Sequence, residues 1–152
     1  MNRKYNKGRN LEYEIKDELE KLGYVVLRSA GSKGNWDLVG IKKDLTVLFQ
    51  AKMHKESNGQ IFLTLLKTPP SSQYLRKIYV FKEDKELKAI ILIEDKLVEG
   101  KFENIILRIE EESENFKKFF ENLLTKKYFC GKIELSRKTK KKIKQESEVG
   151  RK

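Results

Sequence analysis

The sequence predicts an α/β fold, and three patterns carry that expectation. Leu11, Ile15, Leu19 and Leu22 recur at helical spacing among charged residues, which marks an amphipathic helix. Short β-branched and aromatic runs at 24–27, 36–41, 45–52, 77–82 and 87–94 are separated by turns or loops, as strands are. Phe116, Phe119, Phe120, Leu123 and Leu124 then share one face of a second helix, the stripe expected of a segment that packs against something apolar.

Taken in order, the first helix is expected from about residue 9 to 22, with Gly23 standing where a helix stops. Tyr24 to Leu27 follows as a strand. The segment Ser29-Ala30-Gly31-Ser32-Lys33-Gly34-Asn35 reads as a mobile loop or as one whose small residues let backbone amides approach a phosphate, with Arg28 and Lys33 adding charge. Trp36 to Ile41 and Leu45 to Lys52 form a hairpin across Lys42-Lys43-Asp44. Ile61 to Leu66 fits strand or helix equally, and Pro69-Pro70 ends it. Lys77 to Lys82 and Leu87 to Glu94 make a second strand pair across Glu83 to Glu86, and Glu110 to Leu124 is the second helix. No internal repeat is present, and from about residue 136 the chain is Lys-rich.

A chain of 152 residues with 38% hydrophobic and 10% aromatic content can bury a core, which excludes wholesale disorder. The expected organisation is one domain over residues 1–131 and a basic, flexible tail over 132–152. The single cysteine, Cys130, excludes an internal disulfide, and no Cys/His cluster exists for structural zinc. No run is long and apolar enough to span a membrane, so a soluble, cytoplasmic protein is expected. The net charge of +11 is concentrated at the ends. Residues 1–10 carry Arg3, Lys4, Lys7 and Arg9 without an acid, residues 132–152 carry nine basic residues against three acids, and the body is nearly neutral. Basic extensions on a neutral body suit a nucleic-acid partner whose phosphates they hold by charge; for the tail, a solubilising role fits as well.

The hairpin brings chemistry together. With Lys43-Asp44 as a two-residue turn, paired residue numbers sum to 87 and Asp37 lies opposite Gln50. Directly paired side chains stand roughly 4.5–5.5 Å apart at Cβ, close enough to share a cation. Alternation puts Gln50 and Lys52 on one face and Val47, Phe49 and Ala51 on the other. An acid, an amide oxygen and a lysine on apolar strands are costly to bury unless a metal, hydrogen bonds or charges pair them. Elsewhere the bland readings prevail. His54 reads as surface, and the Phe116 stripe as core or dimer interface rather than a base-stacking platform.

Glu12 on the first helix, the Arg28-Ser29-Ala30-Gly31-Ser32 loop, Asp37 at a strand start and Gln50-Ala51-Lys52 together resemble the PD-(D/E)xK nuclease superfamily. With Lys7-Gly8 ahead of the helix and Asp37-Leu38-Val39, the stretch 7–52 is most similar to archaeal Holliday-junction resolvases. The resemblance implies a restriction-endonuclease-like core, in which a helix packs on a mixed central β-sheet, followed here by the C-terminal helix and basic tail. It also implies Mg²⁺-dependent hydrolysis of DNA phosphodiesters, with Mn²⁺ able to substitute, by a homodimer acting on a four-way junction. Asp37 would be the bridging metal ligand, and Gln50 stands where the family usually has Glu. Lys52 would orient the attacking water or meet charge building on the phosphate, Glu12 would act through the metal's water shell, and Ser29 or Ser32 would touch the scissile phosphate. The helix usual between the third and fourth core strands would fall near 70–77. A restriction or homing endonuclease on the same core, or a DNA-binding module inactive through Gln50, are the alternatives.

Overall fold

The computed structural model describes residues 3–29 and 35–128, with side chains from 7 to 29 and from 35 to 125. Leu11, Ile15 and Leu19 all turn inward from one helix, α1 (Arg3–Lys21), and are essentially sealed from solvent. Each contributes about 1.5–3 kcal/mol by burial. The helix begins at Arg3 rather than at about residue 9, so the basic N-terminal arm expected within the domain falls in its opening turns from residue 3 onward. Gly23 ends it with φ of 93°, a left-handed conformation that glycine adopts without strain.

Strands β1 (Val25–Arg28), β2 (Leu38–Lys42) and β3 (Leu45–Lys52) form an antiparallel meander. The register of β2 on β3 pairs Leu38 with Phe49 and Lys42 with Leu45, so the numbers sum to 87 as the two-residue turn requires. Lys43 takes a positive φ of 54° in that turn, matching the twist of a tight hairpin. Gly40 sits where α1 crosses the sheet: a Cβ there would come within 3.2 Å of Phe49 and 3.3 Å of Tyr24.

Chain reversal changes after β3. β4 (Leu75–Glu83) lies parallel to β3, and a parallel neighbour needs a crossover. The crossover contains α2 (Asn58–Leu65), which resolves the ambiguous 61–66 run as helix and corrects the placement of the connecting helix near 70–77. Ser57 caps it by accepting the Gln60 N–H at 3.2 Å, a Ser-x-x-Gln start that favours helix. β5 (Glu86–Ile93) and β6 (Lys96–Lys101) then add two antiparallel strands through turns with positive φ at Asp84, Lys85, Glu94 and Asp95. The sheet thus runs β1 to β6 in order, mixed through its single parallel junction among the described strands.

α3 (Phe102–Tyr128) begins eight residues before the expected start at 110, because Phe102, Ile105, Ile106 and Ile109 are buried with α1 on one sheet face. Ile61 and Leu65 of α2 meet Tyr79, Phe81 and Ile90 on the other. The helices and sheet therefore make the α/β layering that the resemblance implied. The chain divides into two units, Met1–Ser113 and Glu114–Lys152. In the second, Phe116 and Phe120 stack at 6.3 Å between ring centroids, while Phe119, Phe120, Leu123 and Leu124 are exposed, so that stripe is surface rather than core.

Candidate active site

Two ladders meet at Asp37. Its backbone N–H donates to the Phe49 carbonyl at 2.8 Å, and its carbonyl accepts the Ser29 N–H at 2.9 Å. Phe49 is already the partner of Leu38, so Asp37 lies off the β2–β3 ladder at the entry to β2, as the extra residue of a bulge does, while it continues the β1–β2 pairing beside Ser29. Gln50 in turn pairs with Tyr79 of β4. Ser29 and Asp37 are thus neighbours across the β1–β2 edge, and Gln50 lies one residue beyond the Phe49 that Asp37 bonds. Lys52, two residues on, belongs to the same face and pairs with Phe81. Asp37 and Lys52 are close enough for their charges to interact, whereas the expected pairing of Asp37 with Gln50 is not part of the β2–β3 register, which begins at Leu38 and Phe49.

The Asp37 carboxylate is half-buried and turns back onto β3, where one oxygen accepts the Ala51 N–H at 2.8 Å. Burial raises its pKa above the ordinary carboxylate value; the Ala51 N–H pulls it down, the nearby charge of Glu12 pushes it up, and Lys52 opposes that. Glu12 arrives from α1, on the opposite face of the sheet, yet close enough to repel Asp37. One of its oxygens accepts Arg28 Nε at 2.6 Å. Glu14, two residues on, instead pairs with Lys82 at 2.7 Å, so these two glutamates have different partners.

Arg28, expected to meet phosphate, is committed within the chain to Glu12 and to the Tyr13 hydroxyl at 3.1 Å, with its guanidinium 4.7 Å from that ring centroid. Arg9 donates to the same hydroxyl at 3.4 Å, and this bond together with the Arg9 and Arg28 charges lowers the Tyr13 pKa. The residue-by-residue reading missed Tyr13; its spacing of four from Arg9 on a helix was the available signal. Lys7, Arg9, Ser29 and Lys52 are exposed. Ser32 and Lys33 lie outside the described residues, as do the side chains of Arg3 and Lys4 and the whole of 132–152.

The donor set fits a hard divalent cation. Two carboxylates that repel each other, one desolvated, are what such a cation relieves, and Mg²⁺ is commonly held by one or two carboxylates with water completing its shell. No cluster of three or more His, Cys, Asp or Glu that could hold a metal exists among the described residues; of the expected ligands, Asp37 and Glu12 are near enough to interact. Hydrolysis of a phosphodiester suits this arrangement, since Lys52 supplies positive charge beside the carboxylates where a phosphorane-like transition state gains negative charge.

A helix carboxylate, an aspartate entering a strand and a Gln-x-Lys at the end of its neighbour, all on a mixed sheet, are the pattern of the PD-(D/E)xK fold family. Within it, the family model described as archaeal Holliday junction resolvase, Hjc, matches residues 3–126. The chain belongs to that family. It is also similar to the crossover junction endodeoxyribonuclease Hjc of Methanocaldococcus jannaschii, 48% identical over 61 residues, which are 40% of this chain and 45% of that protein. The aligned stretch thus spans less than half of either.

Proposed function

We propose that the protein is a metal-dependent endodeoxyribonuclease that resolves four-way DNA junctions. The observation that supports this most is the half-buried Asp37 carboxylate with the charges of Glu12 and Lys52 both acting on it, in a chain whose family match covers residues 3–126. Mg²⁺, or Mn²⁺ in its place, supplies a Lewis acid and lowers the pKa of a water for attack on the phosphate. Asp37 and Gln50 are assigned as direct ligands and Glu12 as a partner through water. Lys52 holds positive charge where the phosphate gains negative charge, and the Ser29 hydroxyl meets a phosphate oxygen. Arg3, Lys4, Lys7 and Arg9 lead into the Glu12 helix and give backbone contacts beside the site.

A homodimer fits a substrate with two strands to be cut, and the exposed Phe119, Phe120, Leu123 and Leu124 favour self-association of the second unit. No described helix is long and apolar enough to cross a membrane, and we assign the protein to the cytoplasm, where its DNA substrate lies.

The test compares a labelled four-way junction with linear duplex of the same sequence under Mg²⁺. Paired symmetric nicks confined to the junction are expected. Asp37→Ala and Lys52→Ala abolish cutting while junction binding in EDTA stays within about twofold, since neither carries the bulk of the backbone charge. Wild type that binds the junction and never cuts with Mg²⁺ or Mn²⁺ makes it a binding module; site-dependent cuts in linear duplex make it a different endonuclease.

A further inference from the structure

Lys77 lies in the middle of β4 with 6% of its surface exposed, the one charged side chain in the buried class among the described residues. A buried ammonium normally requires a carboxylate. The partners of this one are different: it donates to the Leu65 carbonyl at 3.4 Å and to that of Lys67, and it lies 5.9 Å from the Trp36 ring centroid. The Leu65 carbonyl is at the C-terminal end of α2, where a helix dipole is negative, that of Lys67 follows just beyond the cap, and the indole face is also electron-rich. The ring's own N–H donates to the Thr68 carbonyl at 3.0 Å. Lys77 and Trp36 therefore grip the same short stretch at the end of α2 from two sides. Desolvation holds the Lys77 pKa below its ordinary value, a cost that a Met or Leu in the same space would not carry.

Trp36 directly precedes Asp37. The chain enters the metal-ligand position from a ring that is fixed on its face by Lys77 and on its edge by Thr68. We infer that Lys77 is a positioning residue: the clamp of Lys77, Trp36 and the carbonyls of Leu65, Lys67 and Thr68 fixes the entry into β2, so that the Asp37 carboxylate stays beside Glu12 and Lys52. The inference rests on the metal-site reading of Asp37.

The experiment uses Trp36 itself, since it is the single tryptophan of the chain. Full-length wild type and Lys77→Met are titrated with Mn²⁺ alone while Trp36 emission is followed, and the Mn²⁺ requirement for junction cutting is measured in parallel. Lys77→Met is expected to change the metal-free emission and to raise both Mn²⁺ midpoints by roughly tenfold, the low end of what loss of a group supporting a ligand does. Junction binding in EDTA stays unchanged. If Lys77→Met lowers the melting temperature but leaves both midpoints where they were, the residue is merely structural and the proposal fails. Should that variant not fold, Trp36→Phe, which keeps a ring and loses the bond to Thr68, is read by calorimetric Mn²⁺ titration and by cutting, with the same two outcomes. The metal-site reading fails separately: Asp37→Ala would then leave the wild-type Mn²⁺ response intact.

Discussion

Asp37→Asn separates what this carboxylate does for the fold from what it does for the chemistry. Burial and the Glu12 charge raise its pKa, against the Ala51 N–H and Lys52. A carboxyl with a raised pKa binds its proton more tightly in the folded chain than in the unfolded one, so its contribution to stability is fully present in acid. That contribution is lost as pH rises from the ordinary value of 3.8 through the folded one. At pH 7 without metal, the ionised group therefore destabilises the fold. Asparagine keeps an oxygen for the Ala51 N–H, now 2.8 Å from the carboxylate, and removes the charge. The variant should be more stable than wild type in EDTA at pH 7 by on the order of 1 kcal/mol, the usual scale of a single polar substitution. That corresponds to a rise in Tm of roughly 2–4 °C for a chain of this size. The gap should close as the pH falls to the ordinary carboxylate range. Saturating Mg²⁺ should reverse the order, because a ligand at 100 times its Kd adds about 2.7 kcal/mol to the wild type alone. Calorimetric melts of both proteins at pH 7 and at pH 4, with and without Mg²⁺, measure all four values. A variant less stable than wild type in EDTA at pH 7 would show that Asp37 is a structural cap, and the argument for a strained ligand would be refuted.

Three further outcomes follow from the same geometry. Gln50→Glu adds an anionic donor and should lower the Mg²⁺ concentration for half-maximal cutting by roughly tenfold; a metal titration that shows no decrease excludes direct ligation there. Gly40→Ala places a Cβ within 3.2 Å of Phe49 and 3.3 Å of Tyr24, an overpacking that should cost about 1–3 kcal/mol in urea unfolding, with cutting retained below the transition. Deleting residues 1–6 removes Arg3 and Lys4 from the start of α1, and the slope of log Kd against log salt should flatten by about 0.9 for each phosphate that is no longer neutralised. An unchanged slope would place the backbone-binding charges elsewhere.

The elements that were legible in the sequence are those whose periodicity is set by one buried face. Leu11, Ile15 and Leu19 announce α1, and Leu45, Val47 and Phe49 alternate onto one buried face of β3. α2 was ambiguous because Ile61, Leu65 and their neighbours form a continuous apolar run, in which helix and strand periods coincide; only the Ser57 and Gln60 cap distinguishes them. β6 was missed for the opposite reason. Its sequence, KLVEGK, lies at the sheet edge beside β5 alone and buries no residue fully, so little apolar signal was needed to form it. The early start of α3 was hidden because Phe102 to Ile109 reads as an apolar stretch until the sheet face it covers is known.

The site divides along the same line. The neighbourhood of Asp37 and Lys52 was legible because strand pairing is arithmetic: once the turn is placed at Lys43-Asp44, a sum of 87 sets the hairpin from Lys42–Leu45 to Leu38–Phe49, and Asp37 follows at its open end. The partners that hold those residues in place were not, because they come from other elements and through side chains. Arg28 reaches across 16 residues to Glu12, and Trp36 across 32 to Thr68. No spacing rule encodes such pairings. They arise when α1 settles on one face of the sheet and the chain beyond α2 returns over the other. The charge that a sequence shows at Arg28 is thereby redirected, from an anion outside the protein to the carboxylate of Glu12 within it. A cation bound between Glu12 and Asp37 would compete with Arg28 for that carboxylate, so metal binding and the freedom of Arg28 to meet a phosphate are linked through one residue.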